Sequence, residues 1–124
     1  MTSHSISIAP ENSLIGISDI QKPKGGVPDA PLPDGITATE LDILVACYPE
    51  VEGETKITLG QASDVDPGYA PAFDGQLVTP GRVVRITDVG WKSLLQMTVS
   101  ASRTRIRIWK NNVRFADEII IGVE

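Results

Sequence analysis

The fold class of the chain is decided by the stretch Ala38-Thr-Glu-Leu-Asp-Ile-Leu-Val-Ala-Cys-Tyr48. Every second side chain from Leu41 to Cys47 is apolar, and the side chains between them are polar at the start of the stretch. Successive side chains of a β-strand point to opposite faces, so an apolar period of two indicates a strand with one buried face. That face carries Leu41, Ile43, Val45 and Cys47. We therefore predict a strand over 38–48.

The same signal recurs along the chain. Further β-rich runs lie at 55–61, 76–79, 82–87, 94–100, 104–110 and 117–123, with two more candidates at 5–9 and 14–19. Short strands about ten residues apart, without a convincing helix, are typical of an antiparallel β-sandwich. We predict an all-β sandwich of the jelly-roll or immunoglobulin-like type with seven to nine strands, in which only 91–97 is compatible with a helical turn. The predicted core is Leu41, Ile43, Val45, Ile57, Leu59, Leu95, Met97, Val99, Ile106 and Ile108.

Proline, glycine and asparagine mark the turns and loops. Pro80-Gly81 predicts a turn, and Asn111-Asn112 predicts a two-residue hairpin turn that pairs the last two strands. Long loops are predicted at 22–35, with four prolines and three glycines, and at 62–75. Loops of about fourteen residues are uncommon in compact domains and often carry function. The predicted organisation is a flexible N-terminal segment over 1–12 and a single sandwich domain over 13–124.

Length and composition favour a soluble domain in a reducing compartment. A chain of 124 residues suits one domain. It contains no apolar run near the roughly 18–20 residues that a membrane helix needs, and its start lacks the features of a secretory signal. The single Cys47 cannot form an internal disulfide, and its apolar surroundings predict a small buried side chain. We expect a cytoplasmic protein without membrane contact.

The sequence offers little for catalysis. Its one histidine, His4, lies near the start, and neither a nucleophile–histidine–acid triad nor a phosphate-binding glycine loop nor a zinc ligand spacing can be assembled. We therefore predict no enzymatic activity, no cofactor and no metal. A calcium site stays open as an alternative, since Asp64, Asp66 and Asp74 flank one long loop while Asp29 and Asp34 lie in the other.

Charge is distributed unevenly between the two parts of the chain. Residues 1–74 carry twelve acidic and three basic side chains, whereas residues 75–124 carry four acidic and eight basic ones. One interpretation is that the two parts form facing strands and pair their charges across a sheet. The other is a basic surface directed at an acidic partner.

The candidate binding residues are Arg103, Arg105, Arg107 and Trp109, which share one face of the predicted strand 104–110 and its approach. Same-face neighbours on a strand lie about 6.5–7 Å apart, so the guanidinium groups would form a row that ends in an aromatic anchor. Arginine offers a planar fork for carboxylates and is enriched at interfaces. The alternative is that the row only pairs with acids such as Glu40 and Asp42. Nucleic acid is disfavoured, because a net charge of −5 repels phosphates.

We expect a non-catalytic domain that binds another protein with an acidic surface, as an inhibitor or immunity-type protein does. The rhythm of the second half, from Gly75-Gln-Leu-Val78 through Pro80-Gly81 to the strand ending at Trp109, is faintly similar to small bacterial β-sandwich proteins of that kind. This similarity spans at most about fifty residues and aligns no functional residue.

Two alternative functions stay open: a carbohydrate-binding module that stacks sugars on Trp91, Trp109, Tyr48 or Tyr69, and a structural subunit of a virion or secretion apparatus. Self-association is also left open.

Overall fold

A computed structural model describes residues 3–10, 13–21, 35–49, 51–88, 90, 92–112 and 116–124. Strands account for 57% of these residues and helix for 5%, arranged as two mostly antiparallel sheets. The prediction of an all-β sandwich is therefore confirmed.

Each sheet has five strands. The first sheet contains, in spatial order, β1 (Ser3–Ile8), β5 (Thr55–Gln61), β10 (Glu118–Val123), β9 (Arg103–Lys110) and β6 (Phe73–Val78). The second contains β3 (Ile36–Ala38), β4 (Asp42–Ala46), β2 (Leu14–Asp19), β7 (Val83–Thr87) and β8 (Ser93–Thr98). A single short helix, α1 (Ala62–Val65), is present among the described residues. The strand number exceeds the predicted seven to nine, and β5 pairs with β10 in parallel rather than antiparallel.

The extra strand is β3, which overlaps the predicted strand 38–48 only at Ala38. The rest of that stretch begins with a turn and continues into β4. β3 and β4 pair across a turn in which the Thr39 Oγ1 atom accepts hydrogen bonds from the amides of Leu41 and Asp42, both at 3.2 Å. A threonine hydroxyl can hold a tight turn in this way. Leu41 therefore lies in the turn, where it is half-buried, and it is not part of the core.

The core fills the space between the sheets with branched aliphatic side chains. Ile43, Val45, Ile57, Leu59, Ile106 and Ile108 are completely buried, as predicted. Leu95, Met97 and Val99 are only partly buried against this cluster, because β8 and the residue that follows it lie at the edge of the second sheet. Cys47 is buried, as its apolar neighbours predict.

Two connections differ from their predictions. Of the stretch 91–97, for which a helical turn is the alternative, residues 93–97 belong to β8 (Ser93–Thr98). α1 directly follows β5 and shortens the predicted loop 62–75 to residues 66–72. β9 and β10 are antiparallel neighbours as expected, but residues 111–117 connect them, so the two-residue hairpin turn is wrong. The Asn111 side chain instead binds the start of β10, accepting a hydrogen bond from the Glu118 amide at 3.2 Å.

The ends of the predicted domain also need restating. Ser3–Ile8 forms the edge strand β1 and pairs with β5, so part of the predicted N-terminal segment belongs to the sandwich. Of the proline-rich loop 22–35, all but Gly35 lies outside the described residues. Its mobility stays a prediction.

A buried carboxylate fixes the crossover between the two sheets. The predicted turn at Pro80-Gly81 carries the chain from β6 in the first sheet to β7 in the second. Asp19, only 1% exposed, accepts hydrogen bonds at Oδ2 from the amides of Gln21 (2.8 Å) and Gly81 (2.9 Å) and at Oδ1 from that of Val83 (3.0 Å). A Cβ atom on Gly81 would lie 2.8 Å from Asp19 Oδ2, which requires glycine there. Asp19 thus holds β2, the turn and β7 together.

Candidate functional site

Three arginines of β9 project from the outer face of the first sheet, and we name them the arginine strip: Arg103, Arg105 and Arg107. The intervening side chains of Thr104, Ile106 and Ile108 are buried, so the alternation fixes the direction of the strip. The exposed fraction of the side chain falls along it, from 56% at Arg103 to 43% at Arg105 and 21% at Arg107. The strip is therefore most accessible at its start.

Every arginine of the strip has a carboxylate partner. Arg105 grips Asp74 with two hydrogen bonds, Nε–Oδ1 at 2.9 Å and Nη2–Oδ2 at 2.7 Å. Its Nη1 atom also lies 3.4 Å from Glu124, which in turn accepts a hydrogen bond from Arg107. Arg103 lies 3.5 Å from Glu40. Three positive groups are thus balanced by three negative ones, which agrees with the alternative that acids pair with the row.

Strand pairing explains these partners. Asp74 lies opposite Arg107 in the β6–β9 register, and Arg105 reaches it on the diagonal. Glu124 is held beside Arg105 by two backbone hydrogen bonds, its amide donating at 3.0 Å and its carbonyl accepting at 3.2 Å. The hydrogen bonds from Arg105 lower the pKa of Asp74 below its ordinary value.

The uneven charge distribution is thus explained in part by pairing across the sheets. Glu40 and Asp74 belong to the acidic part of the chain, and they bind arginines of the basic part. Glu40, one of the two acids named as possible partners of the arginines, does pair with Arg103. Asp42, the other one considered, is buried in β4. The sequence does not predict Asp74 and Glu124 as partners of the arginines, because that role depends on which strands are neighbours.

Trp109 shares the face of the strip but is not exposed. It is 1% exposed, and its indole Nε1 donates a hydrogen bond to the Tyr69 carbonyl at 2.8 Å. A Cβ atom on Gly122 would lie 3.0 Å from both Trp109 Cζ3 and Ala62 Cα, so α1 packs closely over this end of the sheet. The prediction of an exposed aromatic anchor at Trp109 is therefore wrong. A glycine inside a strand often marks such a close approach, and Gly122 was the signal in the sequence.

The buried tryptophan supports the inner end of the strip. The Arg107 guanidinium carbon lies 5.7 Å from the centre of the Trp109 ring, a cation–π distance. The exposed aromatic side chain nearby is Tyr69, which is 51% exposed in the loop that covers Trp109. Tyr48 is half-buried and Trp91 lies outside the described residues. The aromatic residues considered for sugar stacking thus do not share one exposed face in the part of the chain that the structure describes.

A small cleft of about 60 Å³ lies next to the strip. It is lined by Gln61, Val99, Ser100, Ala101, Thr104, Val123 and Glu124. A cavity of this size holds water molecules, whereas pockets for small-molecule ligands are several times larger. The cleft therefore gives the strip no substrate pocket.

The remaining candidate groups are occupied or buried. Asp66 accepts a hydrogen bond from the Gly68 amide at 2.8 Å, while Asp74 binds Arg105. Asp29 and Asp34 lie outside the described residues, and within the described ranges no three His, Cys, Asp or Glu side chains form a group that could hold a metal ion. Burial raises the pKa of the Cys47 thiol to about 12. No helix in the described part of the chain has the length and apolar character to cross a membrane.

Comparisons with known proteins give a fold likeness. No family model matches the sequence, and no curated protein matches it. Among solved structures, the chain is similar to ComJ from Bacillus subtilis, described as an inhibitor of the DNA-degrading activity of NucA. The likeness covers 99% of this chain and 94% of ComJ, with a TM-score of 0.67 and 12% sequence identity. At this identity it establishes a shared fold.

Proposed function

We propose that this chain is a non-catalytic domain that binds another protein and inhibits it. The observation that carries the proposal is the likeness to ComJ, an enzyme inhibitor, over nearly the whole of both chains. A shared fold does not fix function, so the argument is one of analogy. The character of the exposed β9 face supports it, because arginine is enriched at protein interfaces.

The arginine strip is the proposed binding surface. The ion pairs of Arg103 and Arg105 are exposed, and such pairs contribute about 0–1 kcal/mol each to stability. A partner can therefore displace them at little cost. The pair between Arg103 and Glu40 is the most easily exchanged, since it has a single contact at 3.5 Å and both side chains are more than half exposed.

The proposed partner presents carboxylates to the strip. Arg103 and Arg105 would then exchange a solvated internal acid for one that is desolvated in the interface, where a bidentate contact is stronger. Arg107 has a different role in this proposal, because it is mostly covered and rests over Trp109. It supports the strip from beneath. Tyr69, an exposed residue whose carbonyl binds Trp109, would supply apolar contact area.

We also assign the protein to the cytoplasm. Cys47 is a free thiol in a chain with no other cysteine. Free thiols persist in reducing compartments.

The function is tested by capture followed by inhibition. The immobilised chain is exposed to lysate of its source cell, and bound proteins are identified by mass spectrometry. Each captured enzyme is then assayed with and without free chain. NucA is assayed in the same way, with a plasmid as its substrate. We expect a captured enzyme, of the DNA-degrading kind by analogy with ComJ, to lose activity as the chain approaches equal molar amounts. Full activity of every captured enzyme and of NucA at excess chain would contradict the proposal.

The strip is tested by replacing Arg103 and Arg105 together with serine. We expect binding to the captured partner to weaken at least tenfold, about 1.4 kcal/mol, because two charge-assisted contacts are lost. The melting temperature should change little, since only exposed pairs are removed. Calorimetry and thermal unfolding measure the two quantities on the same samples.

The matched control replaces Lys56 and Lys92, two exposed lysines outside the strip, with serine. This variant has the same loss of two positive charges but keeps the strip. Its affinity should stay near that of the unmodified chain. Equal weakening in both variants would show that overall charge, and not the strip, governs binding; lost stability with intact binding in the arginine variant would make the strip a purely structural feature.

A further inference from the structure

One side of the sandwich presents two edge strands without Asp, Glu, Lys or Arg residues. β1 is the outermost strand of the first sheet and β8 that of the second, and the two strands contact each other across the sandwich. Their sequences, Ser-His-Ser-Ile-Ser-Ile and Ser-Leu-Leu-Gln-Met-Thr, contain no Asp, Glu, Lys, Arg, Pro or Gly, although charged residues form 22% of the chain. Natural proteins guard sheet edges with charges, prolines, bulges or very short strands. The ladder of β8 with β7 is irregular between Ile86 and Thr87, whereas β1 pairs with β5 in an unbroken register. Among the described residues, β1 is therefore the edge that is open to pairing.

The opposite side shows the contrast. Its edge strand β6 carries Asp74, which is held by Arg105, and the amide of Val78 at its end donates to the Glu40 carbonyl at 2.7 Å. The other edge strand there, β3, has only three residues. The backbone of β1, by comparison, forms hydrogen bonds with β5 on one side, and within the described residues it has no backbone partner on the other side. Alternate amides and carbonyls of β1 thus point away from the sheet.

We propose that β1 pairs antiparallel with β1 of a second copy of this chain. Ser3, Ser5 and Ser7 lie on the outer face of β1, and Ile6 and Ile8 lie on the core face beside Ile57 and Thr55. In an antiparallel self-pairing centred on one residue, each outer serine meets a serine and each core-face residue meets a core-face residue. The strand is therefore complementary to itself, and both faces of the sheet continue into the second copy.

The same symmetry axis serves the second sheet. A two-fold axis normal to the first sheet and next to β1 also passes beside β8, because β8 lies against β1 across the sandwich. It brings the half-buried side chains of Leu94, Leu95 and Met97 toward their counterparts. The proposed contact thereby involves both sheets.

Charge favours a second copy over a partner of opposite charge. Each chain carries a net charge of −5, so two copies repel unless they meet where charge is absent. The side formed by β1 and β8 is such a place. It also leaves the arginine strip free, since two strands, β5 and β10, lie between β1 and β9 in the sheet.

The experiment measures self-association by sedimentation velocity of the purified chain, up to about 500 µM. We expect a reversible dimer with a dissociation constant of roughly 10–100 µM, typical of a small interface. Ser5→Lys should weaken it at least tenfold, since two lysines then meet near the axis. The control Ser100→Lys adds the same charge at an exposed turn and should leave the dimer unchanged.

Ser7→Glu serves as a second variant, with a charge of the opposite sign, and circular dichroism establishes that each variant is folded. It too should weaken the dimer, and the β1 amides of the unmodified chain should exchange more slowly as concentration rises. A chain that stays monomeric over the whole range, or a dimer that neither variant weakens, would overturn the proposal. The measurement involves no other protein, so its outcome is independent of the inhibition assay.

Discussion

Replacing Asp19 with alanine is expected to lower the free energy of unfolding by about 3–5 kcal/mol. Three backbone amides, those of Gln21, Gly81 and Val83, donate to this buried carboxylate. Hydrogen bonds to charged groups contribute about 1.5–3 kcal/mol each, and a buried donor left without an acceptor adds a desolvation penalty. The contributions are not additive, because the turn relaxes as a unit. Urea unfolding followed by circular dichroism measures the loss.

The comparison variant is Asp66→Ala, which removes one exposed hydrogen bond to the Gly68 amide. Its expected cost is below about 1 kcal/mol. Asp19→Asn, which keeps an acceptor oxygen but introduces a donor beside the amides, should fall between the two. If Asp19→Ala costs no more than Asp66→Ala, the crossover is held by packing of the surrounding strands and not by the carboxylate.

Cys47 is expected to react with a thiol reagent about a thousandfold more slowly in the folded chain than in the unfolded chain at pH 8. Burial raises its pKa to about 12, so almost none of the reactive thiolate is present. Because the folded-state pKa lies above the unfolded one, near 8.5, ionisation opposes folding. The stabilising contribution is complete below about pH 8 and is lost as the pH rises toward 12. Labelling by iodoacetamide, with and without denaturant, measures the difference.

The control for accessibility is a chain with Cys47→Ala and Ser100→Cys, in which the thiol lies in an exposed turn. It should react at the same rate in the folded and unfolded states. Fast labelling of the native Cys47 thiol would mean that the interior near β4 opens readily. In that case the depth of burial does not protect the thiol.

The apolar period of two in the sequence predicted most of the strands, but it did not predict which strands pair with each other. Ile57, Ile106 and Ile108 were assigned to the core from the period of two, and each is completely buried. The same period misled at 38–48, because alternation continues through a turn held by the Thr39 hydroxyl. Periodicity reports which side chains share a face, whereas the Thr39 turn depends on one side-chain hydrogen bond.

The candidate site shows the same division. The alternation of β9 predicted that Arg103, Arg105 and Arg107 face outward together, which the structure confirms. It could not predict that Asp74 and Glu124 lie beside them, since that depends on the order of strands in the sheet. Nor could it predict the burial of Trp109, which requires a helix and a loop from elsewhere in the chain to cross the sheet.

The parallel pair at the centre of the first sheet constrains how the chain can be made. β10 is the last strand in sequence, yet it lies between β5 and β9 and pairs with both. During synthesis, β5 and β9 each leave the ribosome before the strand that joins them exists. Their inner edges stay open to wrong partners over that interval, the kind of exposure that leads to aggregation. The first sheet can therefore be completed only after translation has passed residue 123, when β10 joins the β1–β5 pair to the β9–β6 pair.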